Sequence, residues 1–224
     1  MTAAASPPTE DEILGALAGV LDPELDESLV ELGFVARVGV DGGRVSVELR
    51  LPTYWCAPNF SWLMAADVRS ALLGRPGVEQ VEVVLADHHA GEEISAGVTQ
   101  GWGFEETFPD HAAGGVEELR ALFRRKAFLV RQERLLRSLP GPVADRCLGD
   151  LPPTAEARAY LAIREELGLD CSPAAPVVCD AAGRPVADVR AHRRRTGLME
   201  VSMEGNGHFC RSLLSTRYGE DTRG

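Results

Sequence analysis

No stretch of the sequence approaches the 18 consecutive apolar residues that a membrane-spanning helix needs. The opening residues MTAAASPPTEDE lack the basic and apolar regions of a secretory signal. There is no P-loop, no GxGxxG after a strand, no HExxH and no GxSxG, so nothing supports ATP-driven chemistry or a familiar hydrolase site. Lysine is nearly missing: Lys126 is the only one among 23 basic residues, which reads as coding bias. Cysteines number five, an odd count with no CxxC pair, which argues against a disulfide framework. A reduced, cytoplasmic setting is expected, with thiols that are free, metal-binding or catalytic. No membrane partner is expected.

What is present is an ordinary globular balance over 224 residues, 45% hydrophobic and 25% charged. That length suits one large domain or two small ones. The net charge of −11 is unevenly spread: residues 1–112 carry a net −14 and residues 113–224 a net +3. The acidic half opposes nucleic-acid binding. Arg193-Arg194-Arg195 and the basic segment 119–137 could suggest nucleic acid, but that helix also carries Glu117, Glu118 and Glu133 and lacks an aromatic stacking pattern, so docking on an acidic surface is the better expectation.

Residues 1–8 read as a disordered tail. Thr9 and Glu12 have capping-box spacing ahead of a helix that Asp22-Pro23 stops. Residues 34–40 and 45–51 alternate apolar and polar around Asp41-Gly42-Gly43, which predicts a β-hairpin. A loop, PTYWCAPN, leads to a helix over 59–73 with Phe60, Leu63, Met64, Val68 and Leu72 on one face. Residues 78–85 read as a third strand. The resulting α-β-β-α-β unit, residues 9–95, is of the α+β class. Residues 96–115 read as an irregular connection, within a stretch from 86 that shows no period. Residues 116–138 form the strongest helical pattern, with apolar residues on two sides. A shorter helix is expected over 154–167, then a hairpin turning at Ala182-Gly183, a strand over 197–204 and a turn at Gly205-Asn206-Gly207. Residues 116–224 thus read as a helical plus small β domain with short antiparallel strands.

Cys56 lies between a strand end and a helix start, where unpaired N–H groups favour a thiolate, the form a soft metal or cluster iron requires. A buried apolar cysteine is the plain alternative. Around it occur, in order, Asp22-Pro23-Glu24-Leu25, Leu32-Gly33-Phe34-Val35, the hairpin, the Cys56 loop and Pro76-Gly77-Val78 with Val81 and Val83. This series resembles the SufT/PaaD-type iron–sulfur cluster assembly domain over about residues 10–95. The resemblance implies a maturation factor, not an enzyme, that carries or inserts a transient Fe–S cluster or iron into a client metalloprotein alongside other Fe–S assembly proteins. It implies Cys56 as the main ligand, with Thr53, Asp22 and Glu24 around it. One cysteine cannot complete a cluster's coordination, so a homodimer sharing the cluster is one arrangement. The sequence departs from the family in Cys56-Ala57-Pro58, where Cys-Pro is usual, and in Asp87-His88-His89. A non-catalytic chaperone for one metalloenzyme, such as a multicomponent oxygenase, is the alternative reading.

Two further groups are candidate metal ligands. His88 and His89 suit iron or zinc, although adjacent residues of a strand face opposite ways. Cys171, Cys179, His208 and Cys210 could form a zinc site in the C-terminal region if 208 and 210 share one side of a strand. Cys147 has no assigned role.

Overall fold

The computed structural model describes residues 6–109 and 115–219. Residues 1–5 of the expected tail and 110–114 of the expected connection lie outside the described residues. The chain divides into two compact units, Met1–Val116 together with Asn206–Gly224, and Glu117–Gly205. The mixed α+β class of the sequence reading holds.

The first unit begins with α1 (Glu10–Leu17), closed by the Thr9–Glu12 capping box. β1 (Val35–Asp41) and β2 (Arg44–Arg50) form the antiparallel hairpin, turning at Gly42 with a φ of +59°. α2 (Pro58–Leu73) then returns the chain so that β3 (Gln80–Ala86) pairs parallel to β2. Val45, Val47 and Leu49 stand opposite Val81, Val83 and Leu85, and all six are buried on one face of the sheet. Leu63, Met64, Val68 and Leu72 of α2 are buried in the same unit, as the 3.6-residue period requires. Gly77 explains the Pro-Gly-Val signature: its φ is +80°, and an added Cβ would sit 2.3 Å from the Ser6 carbonyl oxygen.

The stretch from 86 onward is more regular than expected. It holds α3 (Gly91–Gln100) and the single turn α4 (Phe104–Thr107). Small residues let α3 pack tightly: a Cβ on Gly91 would meet the Leu85 carbonyl oxygen at 2.5 Å.

The second unit contains most of α5 (Val116–Ser138), then α6 (Ala155–Glu166) with Thr154 as N-cap, and the first part of α7 (Val189–Tyr218). Phe128, Leu135 and Leu136 of α5 join Tyr160, Ile163 and Val177 in its core, whereas Leu122 is exposed. The expected antiparallel strands shrink to isolated bridges, Cys147 with Pro176 and Cys179 with Pro185. Residues 197–204, expected as a strand, and 205–207, expected as a turn, both lie inside α7. The physical reason is the buried stripe His192, Thr196, Glu200 and Met203, whose spacing is helical while its chemistry is mostly polar. Glu133 of α5 bonds both Arg193 and Thr196 of α7, and His192 bonds Gln132 at 2.9 Å. Those pairings carry the burial that apolar residues usually carry.

Candidate functional site

Two loops leave the carboxyl ends of the adjacent parallel strands β2 and β3, and they meet there. This is the usual position for a binding site beside parallel strands. The loop after β2 carries Cys56, half-buried, just before the Ala57 N-cap and Pro58 in the first turn of α2. Pro58 suits that position because a first-turn N–H would be unpaired anyway. The extra residue in Cys56-Ala57-Pro58 therefore serves as the cap. Thr53 shapes the loop: its hydroxyl accepts from the Trp55 N–H at 3.2 Å and lies 3.4 Å from the Cys56 Sγ.

The loop after β3 carries His88, buried beneath the Cys56 loop. The Ala90 N–H donates to its Nδ1 at 3.1 Å, so Nε2 carries the proton and donates to the Cys56 carbonyl at 2.7 Å. Burial pushes the imidazole below the usual histidine range, which keeps it neutral. Both ring nitrogens are thus engaged, and His88 braces the Cys56 backbone. His89 is exposed and stacks on His88, with ring centroids 4.6 Å apart, and lies beside Trp55. The two histidines do not converge on one ion. His88→Ala is expected to cost about 1–3 kcal/mol by leaving a carbonyl unpaired. Hydrogen exchange should then speed up at the amides of Cys56 and Ala57 while the sheet stays protected.

Asp22 begins the Asp-Pro-Glu-Leu loop and is buried. Its Oδ1 accepts from the Glu24 and Leu25 N–H groups, both at 2.8 Å, which folds the loop upon itself. Burial nevertheless outweighs these two donors, and the neighbouring Glu24 and Glu27 add to it, so the carboxyl is pushed up to about 6.

Asp22, Glu24, Cys56 and Phe60 line a cavity of about 190 Å³, and Cys210 of α7 lines it too. The expected zinc site joins Cys210 to Cys171, Cys179 and His208 on the premise of a strand. On a helix, residues two apart point to different sides, and His208 is exposed. Cys179 is buried in the core of the second unit, its Sγ 3.4 Å from Arg164 Nη1, and Cys171 is exposed. The expected zinc site is therefore not assembled. Cys147 takes part through its backbone: its N–H donates to Asp150 at 2.9 Å. Burial pushes the Cys210 thiol up to about 11, with further contributions from Asp22, Cys56 and Glu24. Among the described residues, no group of three or more His, Cys, Asp or Glu is arranged to hold a metal ion. The cavity wall carries two thiols, Cys56 and Cys210, and two carboxylates, Asp22 and Glu24, and thiolate is the donor type that iron in clusters takes.

Residues 10–83 match the family described as iron–sulfur cluster assembly protein. An uncharacterized protein of Methanocaldococcus jannaschii is 31% identical over 88 residues, which is 39% of this chain and 90% of that protein. The chain belongs to the iron–sulfur cluster assembly protein family. Within this family, the assembly domain is similar to part of the iron–sulfur cluster carrier protein of Synechocystis, 43% identical over 75 residues. It is likewise similar to the carrier protein of Deinococcus radiodurans, 41% identical over 73 residues. These alignments take in 34% and 33% of the chain but only 21% and 20% of the carrier proteins. The chain therefore spans about a fifth of their length. Cys56, Thr53, Asp22, Glu24 and the loop after β2 fall within the family match, which ends inside β3, whereas the loop of His88 and Cys210 lie beyond it. No described helix is long and apolar enough to cross a membrane.

Proposed function

We propose that the chain carries iron or an iron–sulfur cluster and delivers it to a client metalloprotein. Cys56 is the main ligand, Thr53 sets its loop, and Asp22 and Glu24 supply nearby carboxylates. The observation that carries this reading is the placement of Cys56 on a cavity wall within a domain of the assembly family. A small ligand set held in a surface-reaching loop suits a cargo that must leave again. The protein's own contribution is to bind and orient iron and to keep the loop fixed through His88, not to catalyse a reaction. Other assembly proteins would load it, in a cytoplasmic setting. The test is transfer: protein loaded anaerobically with iron and sulfide is mixed with an apo-ferredoxin, and holo-ferredoxin is followed by absorbance. Transfer by wild type and none by Cys56→Ser supports the reading, whereas equal transfer by both opposes it.

A second reading is a dedicated assembly chaperone that grips one metalloenzyme without carrying metal. Tyr54 and Trp55 favour it, being 45% and 75% exposed on the same loop, the surface a partner protein would use. Stoichiometric client capture by metal-free protein, unaffected by Cys56→Ser and lost in Trp55→Ala, would favour this reading.

A further inference from the structure

Cys210 lies outside the family-matched residues, yet α7 brings it to the Cys56 cavity. The delivery is built, not incidental. Immediately after Cys210, Arg211 forms an ion pair with Glu27 of the Asp-Pro-Glu-Leu loop. One turn earlier, Gly207 is buried and faces the Glu27 carboxylate. Two turns later, Arg217 donates to the Leu51 carbonyl and to the Asp87 carbonyl, and Tyr218 donates to the Asp87 carboxylate at 3.2 Å. Leu51 begins the loop of Cys56, and Asp87 begins the loop of His88. The terminal part of α7 is thereby fastened to the two loops that line the cavity and to the loop of His88 beside them.

We propose that Cys210 supplies a second thiolate beside Cys56, making a two-sulfur seat for iron, or for one edge of a two-iron cluster, within a single chain. This rests on the carrier reading above. On loading with iron(II), each Sγ–H bond is exchanged for an Sγ–Fe bond and the two protons pass to solvent. Soft sulfur donors hold the iron, and its other positions remain for sulfide, a carboxylate of Asp22 or Glu24, or a ligand of the receiving protein. A seat with only two strong protein ligands can release its cargo to a client that offers four. A second thiolate from the same chain also removes the need for a homodimer to share the cluster.

The experiment compares wild type, Cys56→Ser, Cys210→Ser and the exposed-site control Cys171→Ser. Each is loaded anaerobically with ferrous iron and sulfide and then desalted. The readouts are iron and sulfide per chain, the thiolate-to-iron absorption and the molar mass in solution. Cys210→Ser should lose iron about tenfold faster than wild type, with altered absorption, while Cys171→Ser should match wild type, and the loaded wild type should be monomeric. Alkylation of unmutated protein, mapped by mass spectrometry, guards against a variant that fails to fold: iron should protect Cys56 and Cys210 but not Cys171. If Cys210→Ser retains wild-type iron and absorption while Cys56→Ser loses them, or if iron leaves Cys210 alkylation unchanged, the two-sulfur seat is wrong and the carrier reading survives. If wild type takes up no iron at all, both fall together.

Discussion

Replacing Asp22 with asparagine is expected to stabilise the first unit at neutral pH by up to about 3 kcal/mol. The carboxyl titrates near 6 when folded against 3.8 in its ordinary state, a difference of roughly two pH units at about 1.4 kcal/mol each. Because the folded value is the higher one, the native state holds the proton more tightly than the unfolded chain. The favourable contribution is complete below pH 3.8 and is lost as pH rises to about 6, beyond which the buried charge is a constant burden. Asparagine keeps an oxygen for the Glu24 and Leu25 N–H groups and removes the charge. Denaturation followed by tryptophan fluorescence reads this directly, since Trp55, Trp62 and Trp102 all lie in the first unit. The wild-type minus variant difference should grow between pH 4 and 6 and then level off. A difference that is flat across this range would show that Asp22 is not buried as described. A carboxylate kept in a cavity beside two thiols, where asparagine would fold better, is what a cargo site would retain and a bare scaffold would not.

Arg164→Leu should destabilise the second unit by about 3 kcal/mol. This side chain is fully buried. It donates to Tyr160 Oη at 2.8 Å, to the Pro176 carbonyl at 3.0 Å and twice to the Asp170 carbonyl, at 2.6 and 3.2 Å. In this way it ties α6 to the irregular segment that follows. Leucine fills part of the volume and leaves the acceptors unpaired. Hydrogen exchange should rise across residues 117–205, centred on α6 and on 169–180. Unchanged protection there would mean that the guanidinium does not hold the segment.

Local order made the first unit readable from sequence. Alternation in 45–51, the Asp41-Gly42-Gly43 turn and the α2 face at 60, 63, 64, 68 and 72 each specify an element without help from distant residues. Cys56 was visible for the same reason, since strand, loop and helix succeed one another along the chain. Two elements were hidden by their composition. α3 buries Gly91 and Gly97 beside Ile94 and Val98, and glycines that signal a loop in sequence serve here as close packing surfaces. In α7 the buried face runs through His192, Thr196, Glu200, Met203, Gly207 and Leu214, mostly not apolar, while Leu198, Val201 and Phe209 are 72%, 59% and 64% exposed. Hydrophobic periodicity therefore pointed to the wrong face and suggested a strand. The placement of Cys210 on the wall of the Cys56 cavity depends on that helix and cannot be read without it. His88 was visible as a candidate ligand, but its role as a brace depends on the Ala90 N–H and the Cys56 carbonyl, which only the folded backbone brings to its two ring nitrogens.

The central claim is that Cys56 is the principal attachment point for iron. Anaerobic reconstitution of wild type and Cys56→Ser with ferrous iron and sulfide, followed by iron and sulfide analysis per chain, tests it most directly. The account predicts bound iron and sulfide with thiolate-to-iron absorption in the wild type, and near-complete loss of both in Cys56→Ser at unchanged far-ultraviolet circular dichroism. A folded Cys56→Ser variant that retains all of the wild-type iron would contradict it.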